Sequence, residues 1–303
     1  MRVRASPSVA LALALAACAA PASEEPPAGA GPSPEPISLT FERHSLKRQS
    51  PGCEDTSESP SEGPPESCAE ISLTWVEITE APPGVARGAI HGWIEGGLLD
   101  PAVGEEAAAS PEELAESFFA DFESFRAEVP DNPGWSFERT VEPIHDDEQG
   151  LSFRLTESSY LGGAHPNTVT TYTTLYLTTG QPVALEDLLV DGDPSRLQEL
   201  AEATFREVRE LGPEDDLPAA GFRLGEEPGG DPVGAGEAGF VLSDSFAVTD
   251  DGLLFHYNPY EIGPYALGAT TLTIPWAELD GVVAWPGHES PSGSIASGAQ
   301  SAR

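Results

Sequence analysis

Residues Leu151 to Leu189 read LSFRLTESSYLGGAHPNTVTTYTTLYLTTGQPVALEDLL, and this stretch decides the fold. Leu151–Tyr160 and Thr168–Leu177 are strand-like runs. In the second, Thr168, Thr170, Tyr172, Thr174 and Tyr176 alternate with Val169, Thr171, Thr173, Leu175 and Leu177, the period of an antiparallel strand with one solvated face. Gly162-Gly163 let the chain turn between the two strands. Thr178-Thr179-Gly180-Gln181 makes a second hairpin turn before a short piece near Val183.

Outward from this hairpin, strands and helices segregate. Downstream, Asp193 caps a helix that starts at Pro194, with Leu197, Leu200, Ala201, Thr204, Phe205 and Val208 as its buried stripe and Gly212-Pro213 as its stop. An acidic, Gly/Pro-rich loop from 213 to about 237 follows. Strands are expected at Phe240–Val248, Leu253–Tyr257 and Thr270–Ile274, and Trp276–Leu279 makes one helical turn. Upstream, Trp135–Val141 is a strand. Ser110, Pro111 and Glu113 open a helix as N-cap, first-turn proline and capping-box acid, with Leu114, Phe118, Phe122, Phe125 and Val129 on its apolar face. VARGAIHGWIEGGLL (85–99) is a helix burying Ile90, Ile94 and Leu98. A strand after Pro36 and a stronger one at Ala69–Thr79 complete the set. The fold class is α+β, an antiparallel sheet with packed helices.

The 303 residues carry 14 Lys plus Arg against 51 Asp plus Glu, a formal net charge of −37. That field repels phosphate backbones and anionic headgroups, which excludes nucleic acid as a partner; it serves solubility or a saline habitat first, and would speed encounter with a cationic partner. At the N-terminus, Met1-Arg2-Val3-Arg4 precedes an apolar run from Val9 to Ala17, too short to span a bilayer permanently but the length of a secretory core. Leu15-Ala16-Ala17-Cys18 resembles a bacterial lipobox, so residues 1–17 read as a lipoprotein signal peptide and Cys18 as the lipidated residue. The chain is then exported and membrane-anchored in the cell envelope; in a Gram-negative cell Ala19 after the cysteine favours the outer membrane and periplasm. Residues 18–36 form a Pro/Ala-rich linker and 286–303 a Ser/Gly/Ala-rich tail. Setting Cys18 aside leaves Cys53 and Cys68, most simply a disulfide in an exported chain. Closing a loop of about 15 residues is worth roughly 3 kcal/mol in the chain-entropy view.

Tyr160-Leu161-Gly162-Gly163-Ala164-His165-Pro166-Asn167, followed by Thr179-Gly180 and Leu185-Glu186-Asp187-Leu188-Leu189, resembles domain-of-unknown-function family 3298. So does the run from Asp250-Asp251-Gly252 through Tyr257-Asn258-Pro259-Tyr260-Glu261 and Pro264-Tyr265 to Ile274-Pro275-Trp276. The resemblance assigns residues 146–285 to a 3298-like region. Residues 37–145 are more loosely similar to the companion family 4163. It implies an α+β binding module outside the cytoplasmic membrane, like the lysozyme-binding extracellular part of RsiV-type anti-sigma factors or the N-terminal part of PdaC-type peptidoglycan deacetylases. The regulator's spanning helix and the enzyme's separate metal-binding domain have no counterpart here, so neither output transfers.

For chemistry, His165 is the exposed-loop histidine, open to two uses: a reactive group, or a turn residue bonding its neighbouring backbone. No free cysteine and no G-x-S-x-G elbow accompanies it. His44, His91, His145, His256 and His288 are dispersed along the chain and do not argue for a metal. Asp191-x-Asp193-x-Ser195 has Arg196 where a calcium loop needs glycine. No catalytic residue, metal or cofactor is expected. Candidate ligand-binding residues are Tyr160, His165, Asn167, Tyr257, Asn258, Tyr260, Glu261 and Tyr265, with the tyrosines open to packing or to presenting flat faces. The expected function is a non-catalytic envelope lipoprotein that binds a protein, cationic and lysozyme-like in its sharpest form, or a cell-wall glycan. The alternatives are a peptidoglycan- or glycan-modifying enzyme and a purely structural envelope lipoprotein.

Overall fold

The computed structural model describes residues 38–51, 53, 68–104, 106–130, 133–222 and 240–288. The signal peptide, Cys18, the linker, most of the Cys53–Cys68 loop, the acidic loop beyond 222 and the tail beyond 288 lie outside them.

Five strands form the first sheet in the order β1-β2-β3-β4-β5: Thr40–Gln49, Ala69–Glu80, Trp135–Asp146, Gly150–Tyr160 and Asn167–Tyr176. The expected hairpin is there as β4–β5, with Leu151 opposite Leu175 and Ser159 opposite Asn167. One pair departs from the expected antiparallel pattern: β2 and β3 run parallel, Ala69 opposite Trp135. Parallel neighbours need a long crossover, and α1 (Arg87–Leu99) and α2 (Pro111–Glu128) supply it. The join expected at 145/146 lies at the end of β3, within this sheet.

The helices form for the reasons their sequences give. Ile90, Ile94 and Leu98 are the buried residues of α1. At α2, Ser110 Oγ accepts from the Glu113 N–H at 3.1 Å, while the Glu113 carboxylate reaches back to the Ala109 N–H at 3.0 Å, one residue outside the usual box. Leu114, Phe118 and Phe122 are buried, each aromatic worth about 2–3 kcal/mol of transfer. Phe125 and Val129 are exposed instead of buried: Phe125 lies at the edge of the core with its ring 5.4 Å from Trp135, and Val129 is the C-cap residue beyond the helix. The core between these helices and the sheet gathers Leu46, Ile71, Leu73, Phe137, Val141, Leu151, Phe153 and Leu175. The opposite face of the sheet is polar near β4–β5, where Thr156 meets Thr170, Ser158 meets Thr168, and Arg154 pairs with Glu142. Cys53 and Cys68 are disulfide-bonded between β1 and β2, as their count suggests.

Arg139 sits on the apolar side of β3 and is 2% exposed. Its guanidinium donates to the carbonyls of Leu98 and Asp100 at 2.9 and 2.5 Å, and pairs with Glu157. Since α1 has no basic residue in its last turn, this strand residue supplies the positive charge its C-terminus favours.

A second core begins after β5. α3 (Leu185–Leu188) and α4 (Ser195–Val208) pack with β6 (Phe246–Val248), β7 (Gly252–Tyr257) and β8 (Thr270–Pro275), an antiparallel sheet ordered β6-β7-β8. Leu197, Leu200, Ala201 and Phe205 are buried as expected, whereas Val208 at the helix end is exposed. The strand expected from Phe240 is confined to its last three residues.

The two sheets meet through side chains standing in for missing strand neighbours. Asn258 Oδ1 accepts from Thr170 N–H at 2.7 Å and Nδ2 donates to Thr170 C=O at 3.0 Å, so one carboxamide mimics a peptide group beside β5. Ser245 Oγ accepts from Tyr172 N–H at 2.9 Å. In return, Thr174 Oγ1 accepts from Val248 N–H at 2.8 Å and Ser152 Oγ donates to Val248 C=O at 2.6 Å. All of these groups are buried or partly buried, so the pairing avoids the cost of desolvated, unsatisfied peptide groups.

Candidate functional site

The turn after β4 and the loop after β7 meet. Gly162 adopts φ +85°, the left-handed conformation the turn was expected to need. His165 stacks on Tyr265, ring centroids 3.9 Å apart at 20°, and Tyr265 lies 5.6 Å from Tyr260. His165 Nδ1 is 2.9 Å from the Pro166 carbonyl, which can only accept, so Nδ1 carries the proton and Nε2 accepts from Tyr260 Oη at 3.4 Å. Tyr265 Oη donates to the same carbonyl at 3.2 Å. Three of the sequence-selected residues thus form one exposed ring cluster.

Tyr260 is its most unusual member. Its φ is +75°, a region that bulky residues seldom occupy, and it is 57% exposed. Holding a tyrosine there costs on the order of 1–3 kcal/mol, and such outliers collect where a side chain must be presented.

The other selected residues divide by role. Tyr257 is buried and donates its hydroxyl to the Val241 carbonyl; burial pushes its phenol well above the ordinary range. Asn258 is buried against β5, and Glu261 locks it by accepting from its N–H and Nδ2 at 2.9 and 3.1 Å. Tyr160 ends β4 opposite Ser136, and Asn167 opens β5 opposite Ser159; neither enters the ring stack. A groove of about 440 Å³ borders the same loop, lined by Val169, Thr171, Val241–Ser245, Tyr257, Asn258, Glu261 and Ile262. Asp244 and Glu261 make its rim anionic.

His256 lies nearby in β7, 6% exposed. Its Nδ1 is 2.7 Å from Thr271 Oγ1, while Nε2 has no hydrogen-bond partner among the described residues. Burial holds its imidazole below the usual histidine value.

A second cluster escaped sequence reading. His145, Asp147 and His288, far apart in the chain, bring their donor atoms within 4.8 Å of one another. Sequence reading sets His145 and His288 aside because they stand far apart in the chain; the available signal is the polar His145-Asp146-Asp147 run at the close of a strand.

A five-stranded and a three-stranded sheet with packed helices define an α+β protein, and comparison with known proteins adds to this. Residues 186–277 match the family described as "Protein of unknown function (DUF3298)". The match covers most of the second core and the Asn258–Tyr265 loop, and begins after the Gly162–Asn167 turn. Two solved structures share the fold: a DUF3298 family protein from Pseudomonas aeruginosa PAO1 (TM-score 0.60, 19% identity, 83% of this chain and 97% of that one) and a DUF3298 family member from Bacteroides fragilis NCTC 9343 (TM-score 0.60, 18% identity, 82% and 94%). No curated protein matches the chain.

Proposed function

We propose that this is a non-catalytic binding lipoprotein of the bacterial envelope, anchored through Cys18, whose ligand is a cationic protein of the lysozyme type. The observation that carries this reading is Tyr260, held at positive φ with its ring exposed beside His165 and Tyr265. Amphipathic rings held in place contribute much contact area with little entropy to lose, which is why tyrosine dominates recognition surfaces. The groove beside them has Asp244 and Glu261 at its rim, suited to a lysine or arginine, and the net charge of −37 steers such a partner in. His165 has both ring nitrogens engaged in the cluster, which supports a positioning role over proton transfer.

The test is binding of the purified chain to immobilised lysozyme at low and high salt. Screening shortens from a Debye length of about 30 Å at 0.01 M to about 3 Å at 1 M, so retention should fall steeply. Tyr260→Ala and Tyr265→Ala should each weaken binding about tenfold or more, the scale of a hot-spot aromatic, without changing the melting temperature. No retention at low salt removes the cationic-protein ligand. Retention unaffected by either tyrosine change moves the site elsewhere. The stacked rings also suit the flat face of a sugar, so soluble cell-wall glycan fragments belong in the same assay, with fragment turnover as the outcome that would make the protein an enzyme.

A further inference from the structure

His145, the residue before the last of β3, lies just past the register shift between Pro143 and His145. Asp147 begins the turn into β4, and His288 follows Trp285 near the end of the described chain. Each of the three is held from behind. Asp147 Oδ1 accepts from the N–H groups of Gln149 and Gly150 at 2.7 and 2.8 Å, and Trp285 Nε1 donates to Oδ2 at 2.6 Å. A Cβ on Gly150 would meet the Trp285 ring at 2.8 Å, so glycine makes room for the indole that fixes Asp147. His288 stacks on Trp276 at 4.3 Å and 15°, and Trp276 Nε1 is anchored to the Thr249 carbonyl at 2.9 Å.

His145 itself faces a carboxylate at each ring nitrogen: Asp250 at 3.3 Å from Nδ1 and Asp147 at 3.4 Å from Nε2. A neutral imidazole has one N–H and one lone pair. With Nδ1–H donated to Asp250, the Nε2 position lies beside Asp147 Oδ2 on a side chain that is 6% exposed, where a cation held by Nε2, Asp147 and His288 takes the place of a second ring proton. Carboxylate behind imidazole behind metal is also how ligating histidines are commonly oriented.

We propose that His145, Asp147 and His288 form a binding site for one divalent transition-metal ion, with Asp250 orienting His145 and Trp285 orienting Asp147. Two imidazoles and one carboxylate favour zinc, nickel or copper over magnesium or calcium, which prefer all-oxygen shells. Tetrahedral zinc with bonds of about 2.0–2.2 Å sets its donors about 3.4 Å apart. His145 Nε2 and Asp147 Oδ2 already have that spacing, 3.4 Å. His288, partly exposed, completes the set by a side-chain adjustment, and water fills the fourth position. The site shares no residue with the tyrosine cluster, so it stands or falls separately from the proposed function.

Zinc is titrated calorimetrically into the untagged chain, with millimolar magnesium present to occupy the acidic surface. Cupric ion is followed in parallel by tryptophan fluorescence, because Trp276 and Trp285 touch the ligands. One zinc per chain and saturable quenching are expected. His288→Asn should weaken binding tenfold or more, and Asp250→Asn, a change to a side chain that is 89% exposed, should weaken it several-fold, within the range for a residue behind a ligand. Should His288→Asn misfold by circular dichroism, Asp250→Asn decides alone. Absence of zinc binding, or binding unchanged in the folded variants, overturns the site.

Discussion

Replacing Arg139 with methionine should remove a large share of this protein's stability while leaving the shape of β3 intact. The guanidinium is 2% exposed and satisfies two carbonyls at the end of α1 together with Glu157, and it lies 4.8 Å from the Phe137 ring. Methionine keeps the apolar stem against Phe137 and deletes every donor. Breaking a buried ion pair from one side costs about 3–5 kcal/mol, and each stranded carbonyl about 1–3 kcal/mol. These are not additive, and Glu157, 30% exposed, recovers water once released, so its share is discounted. The expected loss is about 3–4 kcal/mol, a quarter or more of a typical domain's stability. With a urea m-value of about 2–3 kcal/mol/M, the midpoint should fall by about 1–2 M with the slope unchanged. Adding Glu157→Met should return only about 1 kcal/mol, because the α1 carbonyls stay unpaired. A loss under about 1 kcal/mol, or full recovery in the double variant, would refute the view that Arg139 caps α1.

Three further outcomes follow from the same reasoning. Cys53→Ser with Cys68→Ser should lower unfolding free energy by about 3 kcal/mol, as expected for a loop of this length, and reducing agent should shift the wild-type melting curve but not the variant's. His256 has its folded-state pKa lowered by burial, so below about pH 6.5 the unfolded chain binds the extra proton; stability is complete above that pH, falls on acidification, and His256→Gln should flatten the slope by at most about 1.4 kcal/mol per pH unit. Asn258→Ala should cost about 1–3 kcal/mol and accelerate hydrogen exchange at the Thr170 amide, whereas slow exchange there in the variant would show that β5 is protected by something else.

How much was legible follows from how local each signal is. The α1 and α2 faces, the Ser110 cap and the β4–β5 hairpin are written in runs of neighbouring residues, and the structure contains them. Apolar periodicity does not report burial at helix ends: Phe125, Val129 and Val208 keep the spacing of the buried face yet are exposed. The parallel β2–β3 pair carries no strand-level signature; only the two intervening helices hint at it. Arg139 was detectable, since it stands in the apolar parity Trp135, Phe137, Arg139, Val141, an inconsistency that marks a buried charge with a task. For the candidate site, the tyrosine and histidine cluster was legible residue by residue, but which tyrosine would be buried was not. Tyr257 and Tyr260 are three positions apart and differ from 2% to 57% exposure because one continues β7 and the other turns away at positive φ. The His145–Asp147–His288 grouping is joined only by the fold, across sequence distances no motif spans.

The Asn258 carboxamide that pairs with Thr170 has a consequence for how any partner can attach. An exposed edge strand invites docking by strand addition, the mode in which an extended peptide extends a sheet. Here β5 refuses it: Asn258, Ser245, Val183 and Gln181 occupy the outward groups of Thr170, Tyr172, Thr174 and Tyr176. At the other margin, β1 carries Arg43, Lys47 and Arg48, charges that discourage pairing along an open edge. Both margins of the five-stranded sheet are thereby kept from zipping onto neighbouring chains, and recognition is left to side chains that can tell one surface from another.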